Sequence, residues 1–77
     1  MITILFFAHL QDMAGTDRIA LHTDKITVSS LKQRLATDHG MKNLDQIMFA
    51  INEEYAEDDD IINAGDTVAL IPPVSGG

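Results

Sequence analysis

The sequence predicts an α+β domain in which a mixed sheet of about five strands packs one main helix across one face. Two observations predict this class. Short segments rich in β-branched and aromatic residues are separated by turns of Gly, Asn and Asp, which is typical of strands. One segment, residues 27–40, instead combines helical spacing with signals for both helix ends. Seventy-seven residues can build one modest core, so residues 1–77 are expected to form a single domain.

The first strand is predicted over residues 2–8. Alternation along a strand divides its side chains between two largely apolar faces, with Ile2, Ile4 and Phe6 on one and Thr3, Leu5 and Phe7 on the other. A short helical turn is expected at 9–14, ended by Gly15, and a second strand at 18–22. Residues 23–25 are expected to form a polar turn.

The main helix has the clearest local signals. Thr27 is a good N-cap, and Ile26 and Leu31 have the spacing of a hydrophobic staple across it. The apolar stripe expected to face the sheet is Val28, Leu31 and Leu35. Gly40 supplies a left-handed residue that would end the helix.

The second half of the chain predicts three more strands. They are expected at 48–51, from Tyr55 onwards, and at 67–71, with turns at 52–54 and 63–66 and a solvated acidic loop at 57–60. The order is then β-β-α-β-β-β. Right-handed crossover rules allow the first and last strands to lie parallel in the middle of the sheet, which is a β-grasp, ubiquitin-like arrangement.

Composition excludes several functions. The chain has no cysteine and a net charge of −7, so it has no cysteine nucleophile or thiolate zinc site, and nucleic acid is not an expected partner. The three histidines lack metal-ligand spacing, and no metal site is predicted. The apolar N-terminal segment is too short to span a bilayer and lacks a signal-peptide pattern. We therefore expect a cytoplasmic protein that has no membrane partner.

The C-terminal residues 72–77 are the strongest candidate for chemistry. Their sequence is Pro72, Pro73, Val74, Ser75, Gly76 and Gly77. The prolines fix φ at the base of the tail and remove two backbone donors. Glycine has no Cβ, so Gly76 and Gly77 can enter a narrow channel and present an unhindered carboxylate. This pattern predicts that the C-terminus is itself the reactive group; the alternative is a frayed end.

A second candidate site is an apolar cluster formed by Leu5, Phe7, Tyr55 and Ile71. Alternation directs Leu5, Phe7 and Ile71 away from the face that the helix covers, and Tyr55 is expected to approach the same surface from the return strand. Apolar residues clustered on an open sheet usually mark an interface. The alternative is that a loop covers them.

The residues resemble a known family. The opening at 4–8, the segment Ala50 to Asn52, and above all the run from Gly65 through Pro72-Pro73-Val74-Ser75-Gly76-Gly77 are similar to the small subunit of molybdopterin synthase, the MoaD family. The resemblance implies that a ubiquitin-activating-type enzyme uses ATP to adenylate Gly77 and that a sulfur donor then makes a thiocarboxylate. It also implies that the tail enters a MoaE-like large subunit. There the sulfur would pass to cyclic pyranopterin monophosphate and form the molybdopterin dithiolene. No cofactor would be bound by this chain, and the catalytic pocket would lie on the large subunit.

Other functions remain open at this point. The sulfur carrier of thiamine synthesis shares the fold and the Gly-Gly end. A ubiquitin-like modifier would instead join Gly77 to a lysine by an isopeptide bond. In a third possibility, the chain is a β-grasp interaction domain whose C-terminal tail has no function.

Overall fold

The structure, a computed structural model, describes residues 1–72. The elements in chain order are β1 (Ile2–Phe6), α1 (His9–Ala14), β2 (Arg18–Leu21), β3 (Lys25–Thr27), α2 (Val28–His39), a 3₁₀ helix (Leu44–Gln46), β4 (Met48–Ile51), β5 (Glu54–Ala56), β6 (Ile61–Asn63) and β7 (Thr67–Ile71). No helix among these residues is long and apolar enough to cross a membrane.

Five strands form the main sheet in the order β2-β1-β7-β4-β5. The central pair, β1 and β7, is parallel, and its register pairs Ile4 with Val68 and Phe6 with Leu70. The other pairs, β1–β2, β4–β7 and β4–β5, are antiparallel. The predicted β-grasp topology, with the first and last strands side by side at the centre, is confirmed.

The core lies between the sheet and α2. Ile2, Ile4 and Phe6 are almost completely buried, as are Val68 and Leu70 of the neighbouring strand. The predicted helix stripe of Val28, Leu31 and Leu35 is also buried. Alternation and helical spacing therefore assign the inner face correctly, because burial on one face imposes a period of two on strands and 3.6 on the helix.

Both predicted ends of α2 are confirmed. The Thr27 Oγ1 accepts a hydrogen bond from the Ser30 N–H at 3.1 Å, and Gly40 adopts the left-handed conformation with φ 63°. Gly15 ends α1 in the same way, with φ 79°. A residue without Cβ adopts this region at little cost, which is why glycine marks helix ends.

The N-terminus of α2 is completed by a segment distant in sequence. The N–H groups of Val28 and Ser29 donate to the backbone carbonyls of Asp60 and Asp58 at 3.0 and 2.9 Å. The first N–H groups of a helix have no partner within it, so these contacts satisfy donors that would otherwise need water. The loop at 57–60, expected to be simply solvated, is therefore a structural cap for the helix.

Lys32 joins the same loop to the helix. Its ammonium group contacts the Asp58 carboxylate, lies 3.4 Å from the Asp45 carboxylate and sits 5.4 Å above the ring of Phe49. The hydrogen bond to Asp58, the largest cause, raises the pKa of Lys32 despite its partial desolvation. One side chain thus connects α2, the 3₁₀ helix and the acidic loop.

Two local expectations were wrong. Residues 23–25 were expected to form a turn, but Lys25 is the first residue of β3. This strand pairs with β6 in a separate two-stranded sheet. The first strand was expected to reach Ala8 but ends at Phe6. Ala8 has a φ of 53°, and the chain turns there into α1. Strand propensity could not show this, because it does not report that Leu10, just after the turn, belongs to the core.

Candidate functional site

The sheet has one face that α2 does not cover, and small apolar residues form its floor. Across the sheet the register places Leu5 of β1 beside Ala69 of β7, Ala69 beside Ala50 of β4, and Ala50 beside Tyr55 of β5. One row of apolar side chains therefore crosses four strands. We call this surface, together with the residues at its two ends, the open face.

The four residues predicted to form an apolar cluster meet on the open face. Leu5, Phe7, Tyr55 and Ile71 all line one shallow depression of about 750 Å³. No loop among residues 1–72 buries them: Tyr55 is 70% exposed and Phe7 is 45% exposed. The covering-loop alternative is therefore wrong for the part of the chain that the structure describes, and the apolar surface is available to a partner.

The open face leads directly to the candidate reactive tail. Ile71 is the last residue of β7, and the half-buried Pro72 follows it. The predicted tail residues Pro73, Val74, Ser75, Gly76 and Gly77 lie outside the described residues. A partner that bound the open face at Ile71 would contact the chain immediately before those residues.

The opposite end of the open face is fixed by a polar network. Asn52 Nδ2 donates to the Asp66 carboxylate at 3.0 Å, and Asn52 Oδ1 accepts from the Thr67 N–H at 3.0 Å. The Asp66 carboxylate also accepts from the Asn63 N–H at 2.8 Å. These two hydrogen bonds, with the one from Asn63 the larger cause, lower the pKa of Asp66. The network ties the β4–β5 turn to the start of β7.

Sequence reasoning missed the small residues that form the floor. Thr67, Ala69 and Ala50 line the depression, and Met48 pairs with Ile71 beside it. Alternation already placed 67 and 69 on the same face as Ile71, and 48 on the same face as 50. Their position was available from the sequence, but small side chains gave no chemical reason to select them.

Within residues 1–72, no group of three or more His, Asp or Glu side chains is arranged to hold a metal ion. No buried side-chain nitrogen or oxygen in this range lacks a hydrogen-bond partner. The described residues therefore present an exposed apolar surface, and no metal-binding cluster is found among them.

The fold and the open face define the class: a ubiquitin-like β-grasp protein whose apolar sheet face adjoins a sequence ending in Gly-Gly. The chain belongs to the ThiS family, whose sequence profile matches residues 4–77. Proteins similar to it over nearly their full length include molybdopterin synthase sulfur carrier subunits. The one from Escherichia coli is 36% identical, with both chains covered completely. The one from Dictyostelium discoideum is 39% identical over 96% of this chain and 93% of its own.

A solved structure has the same fold at similar sequence distance. The small archaeal modifier protein SAMP1 of Haloferax volcanii is 31% identical to this chain, with a TM-score of 0.78 over 99% of this chain and 98% of its own. The predicted family and the predicted fold are thus both confirmed. The roles of individual site residues stay predictions.

Proposed function

We propose that this chain is the sulfur carrier subunit of a molybdopterin synthase. The observation that carries this function is the full-length similarity to sulfur carrier subunits from bacteria and eukaryotes, at 32–39% identity. The geometry supports it, because the open face offers a docking surface next to the base of the tail. The proposed setting is the cytoplasm.

The chemistry would begin with activation of the Gly77 carboxylate. A carboxylate is a poor acyl electrophile, so one of its oxygens would attack the α-phosphorus of ATP on an adenylating enzyme and release pyrophosphate. Hydrosulfide supplied by a sulfur donor would then attack the carbonyl carbon, form the C–S bond and expel AMP. The product is a thiocarboxylate, whose anionic sulfur is a good nucleophile.

The sulfur would next pass to carbon. In the large subunit the thiocarboxylate sulfur would bond to a carbon of cyclic pyranopterin monophosphate and displace an oxygen substituent there. Water would then hydrolyse the resulting thioester, which leaves the sulfur on the pterin and restores the Gly77 carboxylate. Two carriers would supply the two sulfurs of the dithiolene. Leu5, Phe7, Tyr55 and Ile71 would dock the carrier. Residues Pro72 to Ser75 would span the partner's channel, with Gly76 giving clearance. The chain would bind no cofactor of its own.

Reconstitution tests this function. The chain, carrying a C-terminal thiocarboxylate, is mixed with a molybdopterin synthase large subunit and the pterin precursor. Formation of molybdopterin, together with a loss of about 16 Da as sulfur is replaced by oxygen, is expected. Failure to form molybdopterin with a large subunit that is active with its own carrier would refute the proposal.

A second function, protein modification, is favoured by one observation, the 31% identity to an archaeal modifier protein of the same fold. In that function Gly77 would form an isopeptide bond with a lysine of another protein. Intact mass after expression with an adenylating enzyme separates the two. A thiocarboxylate adds about 16 Da to the chain, whereas conjugation produces a new species of much higher mass.

A further inference from the structure

The charges of this chain are divided along the sequence. No Lys or Arg follows Lys42, so residues 43–77 carry a net charge of −8 while residues 1–42 carry +1. The acidic part supplies β4, β5 and the loops around them, which form one edge of the main sheet. The open face is therefore bordered by negative charge on its β5 side.

Part of this charge is used inside the chain. Asp45 and Asp58 pair with Lys32, the Asp60 carboxylate accepts the Glu57 N–H at 2.8 Å, and Asp66 is held by Asn52 and Asn63. These contacts explain four of the acidic residues by their structural roles.

Four acidic residues of this part remain: Glu53, Glu54, Glu57 and Asp59. Glu54 does not line the depressions beside Tyr55, and the other three have no such role within residues 1–72. All three are exposed. Within residues 1–72 their carboxylates form no ion pair and accept no side-chain or backbone hydrogen bond. We call these three residues the acidic rim.

The acidic rim surrounds the most exposed aromatic side chain of the open face. Glu53 lines the same depression as Tyr55, and Glu57 and Asp59 line an adjoining depression that Tyr55 also borders. A partner that covered Tyr55 would remove water from these carboxylates. That desolvation is unfavourable unless the partner supplies cationic groups.

We infer that the open face docks a partner protein surface on which Lys or Arg side chains border an apolar pocket for Tyr55, so that the acidic rim steers association and selects the partner by charge. The inference rests on the proposed function in one respect, since it takes the molybdopterin synthase large subunit as that partner. A second copy of this chain is a poor occupant, because it would bring an identical set of carboxylates to the interface.

The test compares two triple variants by stopped-flow binding to the large subunit. In the rim variant Glu53→Gln, Glu57→Gln and Asp59→Asn remove the acidic rim. In the control variant Asp12→Asn, Asp24→Asn and Asp38→Asn remove the same net charge from exposed positions that line neither depression. Both variants are measured from low to high salt.

The rim variant is expected to associate at least about fivefold more slowly at low salt, with its dissociation rate changed less than about twofold, because rim charges act mainly on the on-rate. Its association should also depend less on salt than that of the wild type. The control variant should associate at a rate close to that of the wild type.

Equal slowing in both variants would overturn the inference, because net charge alone would then explain the effect. An unchanged rate and salt dependence in the rim variant would overturn it as well. In either case, if the wild-type chain binds the large subunit, the proposed function is not contradicted. If the wild-type chain does not bind the large subunit at all, the proposed function and this inference both fail. Self-association of the wild type in sedimentation, abolished by Tyr55→Ala, would show that a second copy occupies the open face and would also overturn it.

Discussion

Two adjacent phenylalanines, the last residue of β1 and the residue that follows it, have opposite surroundings. Phe6 is 1% exposed and belongs to the core, whereas Phe7 is 45% exposed and lies on the open face. The two side chains are chemically identical. Their different surroundings follow from strand alternation, which directs successive side chains to opposite faces.

Substituting each phenylalanine in turn separates these roles. Phe7→Ala is expected to weaken binding to the large subunit at least tenfold, about 1.4 kcal/mol, because an aromatic side chain is lost from the interface. The isolated domain should keep most of its stability. Phe6→Ala should instead destabilise the free domain by about 3–5 kcal/mol, since it leaves a cavity in the core.

Calorimetric titration and thermal melts of both variants measure these effects. The contrary result is that Phe7→Ala lowers the melting temperature of the free domain as much as Phe6→Ala does, while the folded fraction binds with unchanged affinity. That result would show that Phe7 is a core residue. The proposed docking surface would then need to be redrawn without it.

The ionisation of Asp66 is expected to make the stability of the fold depend on pH in the acidic range. Hydrogen bonds from the Asn63 N–H and the Asn52 amide favour its charged form and lower its pKa in the folded state below the ordinary value of 3.8. A carboxyl group whose pKa is lower in the folded state stabilises the protein above the unfolded pKa. That contribution is lost as the pH falls through the folded pKa.

Thermal melts between pH 6 and pH 2.5 test the role of Asp66. Wild-type melting temperature should fall as the pH drops below about 4. Asp66→Asn should melt at a lower temperature than the wild type at pH 6, and the difference should shrink as the pH falls. A difference that stays constant over this range would show that ionisation of Asp66 does not contribute.

At the scale of elements, the acidic loop and α2 depend on each other. The loop supplies two carbonyl groups to the first turn of the helix, and Lys32 of the helix contacts Asp58 of the loop. The same loop follows β5 and so connects the position of Tyr55 to the helix on the other side of the sheet. Helix and loop should therefore form one cooperative unit.

A double-mutant cycle with Lys32→Met and Asp58→Asn measures this coupling. Methionine retains the apolar stem of Lys32 above Phe49 and removes the charge. A coupling energy of about 0.5–1 kcal/mol is expected, because the ammonium group is partly sheltered while Asp58 is exposed.

The coupling should depend on pH in a defined direction. The pKa of Lys32 is raised in the folded state, so the contribution is complete below its ordinary value of about 10.5 and disappears as the pH rises through the folded pKa. Urea unfolding of the four proteins at pH 7 and above pH 11 checks both statements. Additive effects of the two substitutions at pH 7 would show that the contact contributes nothing.

At the scale of the whole molecule, the core and the proposed reactive group lie in different parts of the chain. The buried residues of the described structure lie between Ile2 and Leu70. The proposed reactive group, at Gly77, follows the final strand. Changes at the terminus should therefore affect transfer of sulfur and leave the fold intact.

Deleting Gly77, or adding one alanine after it, tests this separation. Both variants should lose molybdopterin formation in the reconstituted reaction, because the activated carboxylate is missing or misplaced. Their thermal melts should match the wild type, because no core residue is altered. Molybdopterin formation at the wild-type rate by either variant would refute the assignment of Gly77 as the sulfur-bearing residue.

The sequence by itself determined the features that depend on neighbouring residues. Alternation in 2–6 assigned the two faces of the central strand, and Thr27 and Gly40 marked the ends of α2. The ending in Gly76-Gly77, with the segments similar to a known family, indicated the function. Such patterns are local because caps, turns and periodic burial act over a few residues.

Only the tertiary structure decided the contacts between segments distant along the chain. It showed that Asp58 and Asp60 cap α2, that β3 pairs with β6, and that Asn52 holds Asp66. It also showed which carboxylates beside Tyr55 have no partner within residues 1–72. Acidic residues in a row have the same local signal whether they are paired or free, because their partners come from elsewhere in the chain. Their roles are fixed only when the sheet brings those segments together.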